Sequence, residues 1–540
     1  MIALALTPVF SSARNGQPTC SYAGRNLHST WDPEQEARRF IDGQGEFRLP
    51  ELPGSRPVTT ILILGACMGY LASELRKRHP GAAILSLQFS PAFRGRELPG
   101  ATASWFPDSC ISLDGFLTSY LDDDGVGSPR LIAWPPAEEA FSVQARAARE
   151  SFRNVLDRIA SSAATIRVNG KRWIRNACRS FLSLESTVSA GRTRAPVLVL
   201  AAGPSLAEAA TALAAKAERF LIIAVSSALS ALLARGIEPD IVISTDPGFW
   251  SQAHLSGLGG RDIVRASPFS ACPVGALSRR ILILDQGWFP EHGLSALIPG
   301  SVPIHGHGTV AGSALSLAAS LSEGPIVVAG FDFASNRGLD HAPPHAFDDF
   351  VTSGSRRILP IETKRWDRLL SGQPLSLGEG GWRTSRSLKV YAASLAPEWL
   401  HGKARGSGPG HSGFFRLCPS PMELPGFDVL ETGDLDRIAA KERYKQHFQE
   451  QSRPPLEERR RLLAEAVASW RAALPAALKN LRAGTPPDPD MADLLRSVDL
   501  PWYAAVRRAV VLGKDPGEAL QLLESEAGSF VKDIEERYVL

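Results

Sequence analysis

Six short runs in this 540-residue chain could carry chemistry, five of them at the end of an apolar stretch and one in a loop that opens a helical pattern. Gly203-Pro204-Ser205 closes the run VLVLAAG at 197–203 and opens a helical pattern. Gly203 permits a tight turn, Pro204 suits a first helical turn, and Ser205 can cap the helix or donate to a phosphate. Backbone N–H groups at such a turn, aided by the helix dipole, make an anion site. An ordinary capped helix would use the same residues.

The other runs repeat the theme. Ser226-Ser227 ends the run at 220–226 and offers hydroxyls to a ribose or base. Asp246 ends the run at 240–245, where a carboxylate can take a ribose hydroxyl, a metal or an amine. Gly308-Thr309-Val310, with Ser313 one turn on, opens the helical pattern at 311–322. Asp332 sits in Gly330-Phe331-Asp332-Phe333 at the end of the run 325–333. Each is weak alone, but parallel strands place such ends on one rim, where ligands bind in open α/β sheets. His341 and His345 follow Asp332, and an imidazole titrating near neutrality is a natural base for an acceptor hydroxyl. Pro343-Pro344 between them is read as turning His345 away, which favours His341. His305 and His307 complete the set, but the spacing matches no metal motif.

The sixth run, Gly65-Ala66-Cys67-Met68-Gly69, follows a strand-like run at 61–64. It lacks the GxGxxG dinucleotide pattern, and Gln88 stands where an acid should hold the ribose. Tight binding of nicotinamide or S-adenosylmethionine is therefore not expected there.

Positioning these residues requires alternating strands and helices. Strand, glycine turn, helix and strand recur over 59–135 and again, more strongly, over 195–335, which predicts mostly parallel sheets. The expected class is α/β: a central doubly wound Rossmann-like domain, a smaller Rossmann-like N-terminal domain and a helical C-terminal domain. The expected divisions are 1–137, including a short strand pair turning at Asn15-Gly16, then a helical bridge at 138–194. The site domain would occupy 195–435 and the terminal helices 436–540. Residues 336–430, rich in Gly, Pro, Ser and Arg, read as loops, lids and short elements around the site.

Composition excludes several classes. Lys+Arg 59 against Asp+Glu 56 leaves a net +3, so no dedicated nucleic-acid binder is expected. The most apolar stretch, 310–321, stops at Glu323-Gly324-Pro325, short of a membrane span. The opening MIALALTPVF lacks a basic n-region and reads as a strand rather than a signal peptide. Six scattered cysteines without a CxxC pair suit a reducing cytoplasm.

Taken in order, GPSL at 203–206, VSSALSALLARGIEPDIVISTD at 225–246 and GTVAGSALSLAASLSEGPIVVAGFDFA at 308–334 resemble the motility-associated factor (Maf) family of flagellin glycosyltransferases. The central domain of that family is shared with 6-hydroxymethylpterin pyrophosphokinase MptE-like proteins. The leader at 9–40 also resembles Maf-type proteins, and the likeness covers about residues 1–350. The GPSL and GFDF pair is similar to bacterial sialyltransferases using CMP-activated sugars. The resemblance implies an inverting transferase moving a pseudaminic- or legionaminic-type nonulosonic acid from CMP to Ser or Thr of flagellin. It implies that Gly203, Pro204 and Ser205 hold the CMP phosphate or ribose, and that Thr309, Val310 and Asp332 line the nucleotide or sugar. Asp246 takes the acidic strand end. His341, with His345 as fallback, takes the place of the base. Ser226 and Ser227 fall where the sialyltransferases carry an asparagine, and GFDFA stands where the family has GQDLA. A Mg²⁺ requirement stays open, and a homo-oligomer is compatible with this reading. Two other classes remain: a Mg²⁺-dependent pterin pyrophosphokinase using Asp246 and Asp332, and a non-catalytic nucleotide-binding scaffold.

Overall fold

A computed structural model describes residues 7–44, 60–121, 129–273, 280–371, 375–377, 379–395, 413–511 and 513–540. The chain divides into two compact units. One comprises Met1–Arg167, Leu478–Pro487 and Asp499–Glu524, the other Val168–Ala477, Asp488–Val498 and Ser525–Leu540.

In the first unit, β1 (Val9–Ser12), β2 (Pro18–Tyr22) and β3 (Arg25–Asn26) form an antiparallel sheet. Residues 1–6 of the opening run lie outside the described residues. Asp32 caps the helix Pro33–Gly43, its carboxylate accepting from the Gln35 N–H. A parallel sheet then forms from β4 (Thr60–Leu64), β5 (Ala83–Leu87), β6 (Ala103–Trp105) and β7 (Arg130–Ala133), in the order β6-β5-β4-β7. The glycine turn after β4 is filled by the protein itself. Gln88 accepts from the Cys67 N–H at 3.0 Å and His28 accepts from the Met68 N–H at 3.2 Å. A Cβ at Gly65 would lie 2.5 Å from that of Ala137. The N–H groups a pyrophosphate would need are spent inside the fold.

The second unit is built on an eleven-stranded sheet. Its strands are β8 (Thr187–Ala190), β9 (Val197–Leu200), β10 (Leu221–Val225), β11 (Ile241–Ile243), β12 (Val264–Pro268), β13 (Ile281–Asp285), β14 (Val302–Pro303) and β15 (Ile326–Ala329). β16 (Ser335–Asn336), β17 (Leu375–Ser376) and β18 (Trp382–Thr384) form a small antiparallel sheet of their own. β19 (Phe414–Leu417), β20 (Asp428–Leu430) and β21 (Phe448–Gln451) complete the large one. The order is β20-β19-β15-β9-β10-β11-β12-β13-β8-β21, with β14 beside β13. Every pairing is parallel except β21 with β8. The runs VLVL, LIIAV, IVI and IVVA are buried throughout, as parallel strands covered on both faces must be. The chain runs from β9 outward through β10 to β13, then returns to lay β15 on the other side of β9. The order reverses there, and the crevice outside β9 and β15 is the ligand position of a doubly wound sheet.

Several strands depart from the sequence reading. β12 lies at the centre of the sheet, yet its residues VRASP carry no apolar run. Its buried Arg265 is partly satisfied within the fold: Nη2 donates to Ser267 Oγ at 3.0 Å and to the Cys272 carbonyl at 2.9 Å, while Nε is buried without a partner among the described residues. β19 and β20 come from the segment read as loops, and β8 and β21 carry the sheet beyond 195–435 at both ends. The helices Leu456–Arg482, Pro489–Val511 and Gly517–Tyr538 form the end of the chain.

A buried acid joins two strand ends. Glu291 accepts from Ser270 Oγ, beyond β12, at 2.5 Å and from the Gln286 N–H, beyond β13, at 2.8 Å. Burial pushes its carboxyl up to about 7, against these hydrogen bonds. An acid raised on folding contributes stability fully below its ordinary range and loses it as pH climbs through the raised value. Denaturant melts of the wild type should therefore lose up to about 3 kcal/mol between pH 5 and 8 from this group. Glu291→Gln keeps a carbonyl for the Gln286 N–H and should show a flatter profile. Identical pH profiles for the two proteins would exclude Glu291 as the source.

Candidate active site

A cavity of about 510 Å³ opens at the switch point. Ala201, Ala202 and Gly203 reach it from β9, and Gly330 to Ser335 from β15. Val225 and Ser227 enter from the end of β10, and Val310 and Ala311 from the start of the helix Val310–Leu321. Asp340, His341 and Leu369 add a second side, and Arg383, Thr384, Ser385 and Leu388 a third.

The floor is made by glycine. The Gly203 N–H donates to the Gly330 carbonyl at 2.9 Å. A Cβ at 203 would lie 2.4 Å from that oxygen and 2.5 Å from Asp332 Oδ2. Gly330 has φ +71, and a Cβ there would lie 2.2 Å from the Ala201 carbonyl oxygen. Two small residues at facing strand ends thus let the backbones of β9 and β15 close on each other.

Asp332 and Ser205 face each other beneath the cavity. Ser205 donates through its N–H to Oδ2 at 2.7 Å and through its hydroxyl to Oδ1 at 2.5 Å. Ser205 therefore does not cap its own helix, Leu206–Ala214; its side chain is held by the acid. Asp332 is fully buried, and burial pushes its carboxyl above the ordinary range while Ser205, Ser420 and Arg416 pull it back. With both oxygens engaged by one residue, Asp332 fixes the GPS turn to the GFDF strand end.

The histidine loop is tied down over β9. The Ala342 N–H donates to the Ala202 carbonyl at 2.8 Å, and Arg235 donates to the Pro343 carbonyl at 2.8 Å. This brings His341 into the cavity wall. His345 is not turned away. The chain folds back after Pro343-Pro344, and the two imidazoles stack with centroids 4.4 Å apart and planes 15° apart. His254, from the 3₁₀ stretch Phe249–Leu258, packs on His345 at 5.0 Å and edge-on to Phe347 at 4.9 Å. Burial, and next the neighbouring His345, lowers His254 to about 4, which keeps this third ring neutral.

Of the residues singled out by sequence, the structure brings Gly203, Ser227, Val310, Asp332 and His341 together around the cavity. Pro204 and Ser205 lie in the turn behind it, and His345 backs His341. Thr309 caps the helix Val310–Leu321, accepting from the Gly312 N–H at 3.1 Å. Gly308 precedes it against the Tyr391 ring, and Ser313 is buried one turn on. Ser226 is buried at the start of a 3₁₀ turn. Asp246 is exposed and outside the cavity lining, its carboxylate accepting from the Gly248 N–H at 2.6 Å. Among the described residues no group of three His, Cys, Asp or Glu gathers as for a metal ion. None of the described helices is long and apolar enough to cross a membrane.

Sequence reading missed the third side. Arg383 and Thr384 belong to β18, which pairs with β16 directly beyond Asp332. Thr384 Oγ1 donates to the Phe333 carbonyl at 2.6 Å, and Ser385 caps the helix Arg386–Ala393. The local signal was present, because Thr-Ser-Arg before Leu388 reads as a helix start. Nothing in the sequence says that this start lies about fifty residues downstream on the same cavity.

Residues 171–338 match the model of the family described as 6-hydroxymethylpterin diphosphokinase MptE-like. An uncharacterized protein of Treponema pallidum (strain Nichols) is 33% identical over 284 residues, 52% of this chain and 60% of its own length. A second uncharacterized protein of that organism is 26% identical over 208 residues, 36% of each chain. The chain thus spans less than two thirds of either relative. Among solved structures, a Maf glycosyltransferase from Magnetospirillum magneticum AMB-1 superposes with a TM-score of 0.55 at 14% identity, over 98% of this chain and 92% of that one. The motif resemblance to the Maf and MptE-like group is therefore met twice: by the family model in the central segment, and by the fold along nearly the whole chain.

Proposed function

We propose that this protein is a glycosyltransferase that moves a nonulosonic acid of the pseudaminic or legionaminic type from its CMP-activated form to Ser or Thr hydroxyls of flagellin, in the cytoplasm. The observation that carries the reading is the loop bond from Ala342 to Ala202, which holds an imidazole over a cavity at the switch point of a parallel sheet. Its support is the fold shared with a glycosyltransferase of the Maf group.

In this mechanism the acceptor oxygen attacks the anomeric carbon as the bond from that carbon to the phosphate oxygen breaks. His341 accepts the acceptor's proton, CMP leaves with the bonding pair, and the anomeric centre inverts. Val310 and Ala311 line the cavity from the first turn of the helix Val310–Leu321, and the unbonded N–H groups and positive dipole end of a helix start would neutralise the leaving phosphate there. Donors already in place there stabilise charge as it develops, commonly the largest electrostatic contribution to catalysis. Gly203 and Ser227 give the nucleotide a close backbone and a hydroxyl.

The name of the matched family model favours a second reading, diphosphate transfer from ATP to a pterin with Mg²⁺ between Asp246 and Asp332. Asp246 is not in the cavity lining, and Asp332 spends both oxygens on Ser205. Calorimetry distinguishes the two: CMP should bind saturably and ATP with Mg²⁺ should not. Tight ATP binding, with AMP released in the presence of a pterin, would move the protein to the second class.

A further inference from the structure

Arg383 lines the cavity with most of its guanidinium unused. Its Nη1 donates to Ser376 Oγ at 2.9 Å, and it makes no ion pair among the described residues. We propose that Arg383 grips the carboxylate of the donor sugar and so selects acidic sugars over neutral ones, an assignment that rests on the nucleotide-sugar reading above.

The backbone of Arg383 is fixed on two sides. β18 pairs with β16 through Ser335 opposite Arg383, and with β17 through Ser376 opposite the same residue. Ser335 Oγ donates to the Arg383 carbonyl at 3.3 Å, and Thr384 anchors the next position on Phe333. The arginine therefore starts from a ladder tied to the strand end that carries Asp332. Its single anchor on Ser376 leaves Nε and Nη2 as a planar fork, the geometry that pairs with a carboxylate or phosphate through two parallel bonds.

The chemistry of the donor decides between those two anions. A CMP-activated nonulosonic acid carries a phosphate and a carboxylate on the same anomeric carbon. The phosphate is served by the helix start at Val310 and Ala311, which belongs to a different element of the wall. The carboxylate needs a cation of its own, and Arg383 is the one Arg or Lys among the described lining residues. Asp332 does not compete for it, because Ser205 holds both of its oxygens.

The test is calorimetry of the wild type, Arg383→Gln and Arg383→Lys with three probes: CMP, CMP-pseudaminic acid and CMP-legionaminic acid. Arg383→Gln should bind CMP as the wild type does and bind the better CMP-sugar roughly 10–100-fold more weakly, the scale of a lost charge-assisted contact. Arg383→Lys, which keeps charge but not the fork, should fall between, and it carries the test if the glutamine variant does not fold. An equal loss for CMP alone would assign Arg383 to the phosphate and overturn the proposal. Unchanged CMP-sugar affinity in both variants would overturn it too. A wild type that binds no CMP would instead remove the nucleotide-sugar reading and this assignment with it, so the two failures are told apart in the wild-type arm.

Discussion

Replacing His341 with alanine should slow sugar transfer by roughly 10²–10⁴-fold, the range for loss of a positioned base, with CMP affinity nearly unchanged. The acceptor hydroxyl ionises far above neutrality, so its attack depends on a group that takes the proton as the bond forms. His341 is the imidazole in the cavity lining, and the Ala342–Ala202 bond fixes its approach. His345 touches the reaction only through the stacked ring of His341, which makes it a positioning residue in this mechanism. His345→Ala should therefore lower transfer less, and His345→Phe, which keeps a ring in the stack, should recover part of the loss. Initial rates of CMP release with flagellin as acceptor, set beside CMP calorimetry, give both quantities. Near-normal transfer in His341→Ala would remove this residue from the mechanism.

Gly203→Val should destabilise the second unit by about 1–3 kcal/mol or more, as overpacking does, and abolish CMP binding. The position has no room for a side chain. A Cβ would meet the Gly330 carbonyl and the Asp332 carboxylate at once, and neither is the movable end of a flexible chain. The sequence suggested that glycine was needed so that backbone could approach a phosphate. The structure adds that glycine is needed so that β9 can approach β15. Relief of the clash must separate those strand ends, which breaks the Ser205–Asp332 pair and opens the floor of the cavity. Ser205→Ala is the milder control: it removes the hydroxyl donor to Asp332 Oδ1 and keeps the Ser205 N–H on Oδ2, at a cost of about 1–3 kcal/mol for the lost bond to a buried polar group. Thermal melts with and without CMP read both effects. A Gly203→Val protein that melts like the wild type and is still stabilised by CMP would contradict the packing described at this junction.

The sequence by itself determined what local chemistry determines. Buried parallel strands announce themselves as unbroken apolar runs, so VLVL, LIIAV, ILILD and IVVA were legible, as were the glycine turns that follow them. The strand, glycine turn and helix at the start of the 59–135 segment were legible for the same reason, since periodicity and turn chemistry act within a few residues. The rim that gathers Gly203, Asp332 and His341 followed from the rule that parallel strands end on one side.

Tertiary structure decided what depends on partners far along the chain. β12 became a central strand because neighbours on both sides supply its ladder and Arg265 finds acceptors within the fold. Ser205 met Asp332 across 127 residues, which turned two candidate ligand contacts into a brace. The fold of the loop after Pro343-Pro344 laid His345 on His341, where proline stiffness alone suggested divergence. Arg383 reached the cavity because β18 pairs with β16, and strand pairing between short polar segments leaves almost no trace in composition or period.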